Sequence, residues 1–258
     1  SIFSIIFKHE KILILLRHGE SQWNLDNRFT GWTDVNLTLN GEEEAIKAGK
    51  LIKERGLEIK KTFVSYLRRS VRTSELCLNY LKDDKVEVLR DWRLNERHYG
   101  NLQGLNKAET AKKYGEEQVK DWRRSYDIPP PPMDNNDERH PSKDPLYSDI
   151  DPKLLPNSES LKDTLKRVMP VIDKLIIPEI KNNSNLMIVA HGNSLRAIVK
   201  IFKGISDKDI INLNIPTGVP YVLEFDSKLK VVNDYYLGDY KDIQKKVKEV
   251  EKQGKPLN

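Results

Sequence analysis

The chain of 258 residues has little cysteine: Cys77 is the only one. One thiol excludes an intrachain disulfide, a cysteine-built zinc site and an iron–sulfur cluster, and makes a reducing, intracellular compartment the default. Long apolar runs are also missing. The longest unbroken aliphatic stretch, Ile12 to Leu16, is far short of the roughly 18 residues that cross a bilayer, so no transmembrane helix and no membrane partner are expected. The opening SIFSIIFKHEK holds a short apolar stretch with no basic residue before it and no small-residue cleavage site. It reads as an N-terminal extension over 1–10, not as a secretory signal.

A field of one charge sign is lacking too. The net charge is +5, but the stretch from Lys241 to Asn258 has six lysines against Asp242, Glu249 and Glu251, a surplus of +3 that leaves +2 for everything before it. This argues against a general nucleic-acid surface and for local basic clusters. Hydrophobic residues make up 38% and charged residues 32%, the latter above the usual quarter or so. A globular chain with a heavily charged surface follows, expected to form a single domain over 1–258.

Hydrophobic period predicts strands at Ile12–Leu16, Thr62–Val64, Val86–Leu89, Leu186–Ala190 and Val219–Phe225. Helical spacing appears at 42–53 and again at 161–176, where Ser160 and Asp163 are placed for a capping box. Strands alternating with helices predict an α/β fold with a mostly parallel central sheet flanked by helices on both faces. Two stretches break the rhythm. Residues 128–157 are rich in proline, aspartate and asparagine and read as a long irregular loop; a loop over a site fits its place in the chain better than a linker does. The Lys-rich tail over 236–258 has a weak period that argues against a packed core helix. It is either a solvated end or a segment that closes over an anion pocket.

Two strands end alike: ILILL runs into Arg17-His18-Gly19 and LMIVA into His191-Gly192-Asn193, each followed by a helix-start signal at Ser21 or Ser194. Ligands of open α/β sheets sit at the carboxyl ends of strands, and a helix start offers free N–H groups to an anion. Two imidazoles are therefore placed to face one anion pocket. Arg68, Arg69 and Arg72 follow the strand ending at Val64, and Arg123 and Arg124 follow Trp122. Both clusters suit a small, multiply charged anion, although a charged helix face is ordinarily the better account of each. Composition alone makes Glu96, between Arg93 and Arg97, a surface ion-pair partner. Cys77, inside SELCLNYL, reads as a buried apolar residue, and His9, His98 and His140 receive no role.

RHGES at 17–21, NRFTGW at 27–32, SYLRRSVRT at 65–73, WRLNERHYGNLQGLNKAE at 92–109, WRRSYDIPPPPM at 122–133 and AHGNSLRAIVK at 190–200 together resemble the cofactor-dependent phosphoglycerate mutases of the histidine phosphatase superfamily. The likeness runs in order from about residue 11 to the end. It implies a cytoplasmic glycolytic and gluconeogenic enzyme, a homodimer or homotetramer, that interconverts 3-phosphoglycerate and 2-phosphoglycerate, is primed by 2,3-bisphosphoglycerate and uses no metal. By resemblance His18 is the phosphorylated nucleophile, Glu96 the acid and base, and Arg17, Arg69 and His191 surround the transferring group, with Asn24, Gly192 and Asn193 as further donors. Tyr99, Lys107, Arg123 and Arg124 hold the carboxylate and remote phosphate, and Ser21, Thr30 and Gly31 line the near side.

Three rival functions are weighed. A phosphatase of the superfamily would not be expected to carry the central mutase segment. A bisphosphoglycerate synthase typically reads RHGEG and lacks the Gly before Trp, where this chain has Ser21 and Gly31. A catalytically silent phosphate- or nucleic-acid-binding protein would tolerate loss of His18, Glu96 and His191, all of which are present.

Overall fold

Alternation along the first strand decides the layering. In β1 (Ile12–Arg17), Leu13 and Leu15 pack on one side of the sheet while Ile12, Ile14 and Leu16 pack on the other, and all are buried. A strand apolar on both faces needs helices on both faces. The structure, a computed structural model, describes residues 11–256; the proposed extension over 1–10 lies outside the described residues.

The strands β1, β2 (Lys61–Val64), β3 (Glu87–Arg90), β4 (Leu186–Ala190), β5 (Tyr221–Phe225) and β6 (Val231–Tyr236) form one sheet in the order β3-β2-β4-β1-β5-β6. β3, β2, β4 and β1 pair in parallel, whereas β5 runs antiparallel to β1 and β6 antiparallel to β5. The sheet is thus mostly parallel with an antiparallel edge. β6 was not among the predicted strands, and it takes Tyr236 away from the tail.

The helices are α1 (Gln22–Leu25), α2 (Leu39–Arg55), α3 (Arg68–Leu81), α4 (Lys107–Tyr114), α5 (Glu116–Arg124), α6 (Leu161–Val171), α7 (Ile177–Lys181), α8 (Gly192–Lys203) and α9 (Tyr240–Lys252). Ala48 and Ile52 of α2 and Cys77 of α3 cover one face of the sheet; Val168 and Val171 of α6 and Leu195, Ile198 and Val199 of α8 cover the other. Cys77 is fully buried, which pushes its thiol up to about 12 and leaves it unreactive. Ser160 and Asp163 form the expected capping box on α6. Between α6 and α7, where Pro170 and Pro178 withhold their backbone N–H groups, the ladder widens to a π turn at Ile172–Ile176.

Residues 128–157 carry only short 3₁₀ turns, at Pro141–Lys143, Pro145–Tyr147 and Pro152–Leu154. The tail, by contrast, is helical: α9 is capped by Asp239, whose carboxylate accepts from the N–H groups of Lys241 (2.9 Å) and Asp242 (3.2 Å).

Candidate active site

The parallel register sets Arg17 beside Ala190, and the His18 N–H donates to the Ala190 carbonyl at 3.0 Å. The residues just past β1 and β4 are therefore neighbours, and the His18 and His191 ring centroids lie 5.0 Å apart. His18 Nδ1 lies 2.7 Å from the Gly19 carbonyl oxygen. A carbonyl only accepts, so Nδ1 carries the proton and Nε2 the lone pair. Arg69 Nε donates to Nε2 at 3.3 Å. Burial, then the guanidinium groups of Arg69 and Arg17, hold this imidazole well below its ordinary pKa, so it is neutral near pH 7.

His191 is held by a hydroxyl instead. Its Nε2 lies 2.7 Å from Ser65 Oγ, which already accepts from the Leu67 N–H at 3.1 Å. A hydroxyl both donates and accepts, so this contact suits either tautomer of the ring. Burial, followed by Arg69, His18 and Arg17, also lowers the His191 pKa well below the ordinary imidazole value.

Arg69, on the first turn of α3, is fixed by donating to the carbonyls of Thr33 (2.8 Å) and Gly31 (2.8 Å). Gly31 has φ +54°, and a Cβ there would fall 2.1 Å from Gln103 Oε1, which accepts from the Trp32 N–H. A side chain at position 31 would be strained and would have to displace the Gln103 amide. Arg17 Nη1 donates to the Ile215 carbonyl at 2.8 Å, and its Nε is buried without a partner among the described residues.

Contrary to the reading from composition, Glu96 is buried. Its Oε1 accepts from the backbone N–H groups of Arg97 (2.8 Å) and Asn193 (3.0 Å), the latter a free donor at the start of α8. The irregular segment around Glu96 is held by the Arg167–Glu159 ion pair (2.7 Å, side chains 6% and 5% exposed), with Arg167 donating to the carbonyls of Arg93, Asn95 and Glu96.

One pocket is walled by Arg17, His18, Asn24, Thr30, Gly31, Arg69, Glu96, Tyr99, Lys107, Arg123, Arg124, Gly192 and Asn193. All were candidates. Arg196, Ile215, Val250 and Gln253 complete it and were missed. Five arginines and one lysine face a single carboxylate. Burial pushes Arg69 and Arg196 down to about 10, and burial with Arg123, Arg17 and Arg124 carries the Lys107 ammonium well below its ordinary value. A cation cluster out of water repels itself, and a multiply charged anion relieves that repulsion.

Some expectations need correction. Ser21 is not a wall: its hydroxyl caps α1 by accepting from the Asn24 N–H, while Asn24 Oδ1 accepts from the Ser21 N–H. Ser21 thereby turns the Asn24 side chain. His191 stands behind the walls, and Ser194 is not the start of α8 but lies inside it, accepting from the His191 N–H through its hydroxyl. Arg68 and Arg72 belong to an exposed charged face, paired with Asp34 and with Glu42 and Glu75. The 128–157 loop does not cover the pocket. It backs the Glu96 segment: Tyr147 and Leu155 pack with Trp32, and Tyr147 accepts from Asn95 Nδ2.

The tail, not the loop, lies over the pocket. Val250 and Gln253 are walls; the Val250 carbonyl accepts from Arg123 (3.4 Å) and Gln253 Oε1 from Lys107 (3.2 Å). Farther out, Lys246 pairs with Glu44 at 2.5 Å.

The family model for the histidine phosphatase superfamily (branch 1) matches residues 13–142 and 132–237. A protein of Parabacteroides distasonis named 2,3-bisphosphoglycerate-dependent phosphoglycerate mutase is 54% identical over 245 residues, 95% of this chain and 99% of its own. The chain belongs to the histidine phosphatase superfamily, among these mutases. A second relative, named 2,3-bisphosphoglycerate-dependent phosphoglycerate mutase 2, from Bacteroides thetaiotaomicron, is 55% identical over the same shares, and one from Elusimicrobium minutum is 52% identical. The fold also matches a mycobacterial glucosyl-3-phosphoglycerate phosphatase solved with VO3, with a TM-score of 0.66 at 20% identity over 88% of this chain and 97% of that one. Likeness to the mutases thus runs through nearly the whole chain.

Proposed function

We propose that this protein is a phosphoglycerate mutase that interconverts 3-phosphoglycerate and 2-phosphoglycerate through a phosphohistidine at His18. The observation that carries the reading is the neutral, buried His18 with its Nε2 lone pair in a pocket of six cations and one carboxylate. The Arg17 Nε, buried without a partner among the described residues, fits a ligand with several negative charges. When bound there, 2,3-bisphosphoglycerate supplies the phosphoryl group that first loads the enzyme.

His18 Nε2 forms the bond to phosphorus as the phosphorus–oxygen bond to the leaving group breaks. Phosphoryl transfer asks little covalent work of a protein beyond this, and much charge stabilisation. Arg17 and Arg69 supply it beside the ring, with the His191 imidazole behind. Glu96, with Oε1 held by two N–H groups, gives the leaving oxygen its proton and takes one back from the hydroxyl that next attacks the phosphohistidine. Asn24, Thr30, Gly31, Gly192 and Asn193 shape the near side, while Tyr99, Lys107, Arg123 and Arg124 hold the carboxylate and the remote phosphate. Ser21 serves through Asn24. We read the enzyme as cytoplasmic and as a homodimer or homotetramer on the family likeness alone.

The test is to incubate the protein with 2,3-bisphosphoglycerate, map the acid-labile phosphate by mass spectrometry and assay the interconversion. Phosphate on His18, and loss of both phosphoenzyme and mutase activity in His18→Ala, are expected. Phosphate on His191, or persisting in His18→Ala, overturns the assignment.

A further inference from the structure

Arg196 sits on α8 one turn beyond Asn193, three residues on, where two helical side chains meet. It is almost wholly buried, 1% exposed, and stands behind the pocket as well as in its wall. Its Nη1 donates to Asn193 Oδ1 at 2.9 Å, and Asn193 Nδ2 lies 3.1 Å from the Tyr99 hydroxyl. An amide can ordinarily be turned end for end, and a tyrosine hydroxyl either donates or accepts. A guanidinium only donates. The Asn193 oxygen must therefore face Arg196, its NH2 must face Tyr99, and the Tyr99 oxygen must accept. The Tyr99 proton then has no acceptor among the described residues and is left for an anion in the pocket.

The remaining contacts of Arg196 make the same unit rigid. Nη2 donates to the Ile210 carbonyl at 2.7 Å and to that of Arg124 at 3.3 Å, and Nη1 reaches the Arg123 carbonyl at 3.5 Å. The Asn193 backbone N–H, meanwhile, donates to Glu96. We propose that Arg196 is a positioning residue for the substrate: by fixing the Asn193 amide it keeps the Tyr99 hydroxyl a donor to the bound phosphoglycerate. This inference rests on the mutase reading.

A double-mutant cycle tests it, with KM and kcat for 3-phosphoglycerate measured on the full-length, phosphorylated enzyme. Removing a hydrogen bond to a charged group costs about tenfold or more in affinity, so Tyr99→Phe should raise KM by that factor with a smaller change in kcat. Arg196→Met should raise KM to a similar extent. The double variant should be no worse than either single one, within about twofold, because residues acting through one chain of contacts are not additive. Multiplication of the two effects, or a fall in kcat with KM unchanged, overturns the proposal. Arg196→Lys guards against misfolding: it keeps a donor for Asn193 while losing the fork to Ile210 and Arg124, so KM near the wild-type value with a lower melting temperature is expected. A tenfold rise in KM for Arg196→Lys that multiplies with that of Tyr99→Phe overturns the proposal. Wild-type protein without interconversion overturns the mutase reading and this inference with it, whereas an active wild type with an additive cycle overturns the inference alone.

Discussion

Glu96 has one carboxylate oxygen occupied by two backbone N–H groups, which leaves proton transfer to the other. Glutamine in its place keeps an acceptor for those N–H groups but has no proton to exchange. General acid–base help is worth roughly 10²- to 10⁴-fold, so Glu96→Gln should lower kcat by a factor in that range with little change in KM. Steady-state rates with 3-phosphoglycerate check this, and turnover near wild type would leave Glu96 only its structural hydrogen bonds. The histidines give a second prediction at this scale. His18 and His191 are both held far below the ordinary imidazole value by burial and by Arg69. Their ring signals, assigned by NMR against His18→Asn and His191→Asn, should not titrate through about pH 6.5, where a free histidine does. A midpoint near that value for either ring would show that the apo pocket accepts a third kind of cation.

At the scale of elements, the irregular segment around Glu96 is tied down by buried charge. Glu159 precedes the N-cap of α6 and Arg167 lies within that helix, yet what they hold is the segment from Arg93 to His98. Removing one partner of a buried ion pair costs about 3–5 kcal/mol, because the other charge is left unpaired. Arg167→Met should therefore lower the denaturation midpoint substantially, and a joint Arg167→Met/Glu159→Leu variant should recover part of the loss without recovering turnover, since Glu96 stays unsupported. The tail helix α9 is held by less: the Lys246–Glu44 pair, a few hydrogen bonds at Arg123, Lys107 and Asn214, and one buried apolar side chain, Ile243. Glu44→Gln should loosen α9 and shorten the lifetime of the phosphohistidine against water, measured as release of inorganic phosphate from loaded enzyme; an unchanged lifetime would mean that this pair does not govern closure. These two elements also mark where sequence reading stops. Ile12–Leu16 and Leu186–Ala190 are legible because a strand buried on both faces must be apolar throughout, and the paired histidines follow from their ends. β6 is not legible, because VVNDYY at a sheet edge is half-solvated and has no clean alternation. Nor is the burial of Glu96, which depends on Arg167 some seventy residues away, or the wall formed by Gln253, which depends on where α9 docks. Arg196 lay within a recognised motif, but its role needs the rotation of α8 and the partner of Asn193. The specific assignments of catalytic and binding residues came through family resemblance, and composition alone had placed Glu96 on the surface.

For the whole molecule, buried neutral imidazoles set how stability responds to acid. His18, His98 and His191 all have folded pKa values below the unfolded value of about 6.5, His98 down to about 3 through burial with His140, Arg167 and Arg139 nearby. Above about pH 6.5 neither state protonates these rings, and they contribute nothing to the pH dependence. Below it the unfolded chain takes up protons that the folded chain refuses, so stability falls with falling pH by about 1.4 kcal/mol per pH unit for each ring. For His98 that loss continues until pH approaches its folded value. Carboxylates titrate mostly below this window and Lys107, also held well below its ordinary value, adds a fall of the same sign, so the histidine part of the slope in urea midpoints between about pH 7.5 and about pH 5 is read by substituting one ring at a time. His98→Gln should make the slope shallower by the equivalent of one proton, because His98 Nδ1 only accepts from the Gly100 N–H and a glutamine oxygen can do the same. Saturating 2,3-bisphosphoglycerate should raise the whole curve by mass action and flatten it further, because its negative charge offsets the cations that depress His18 and His191, while the His98 contribution, set by other neighbours, should remain. A slope that ligand removes entirely, or one unaltered in His98→Gln, would place the acid sensitivity in the pocket alone.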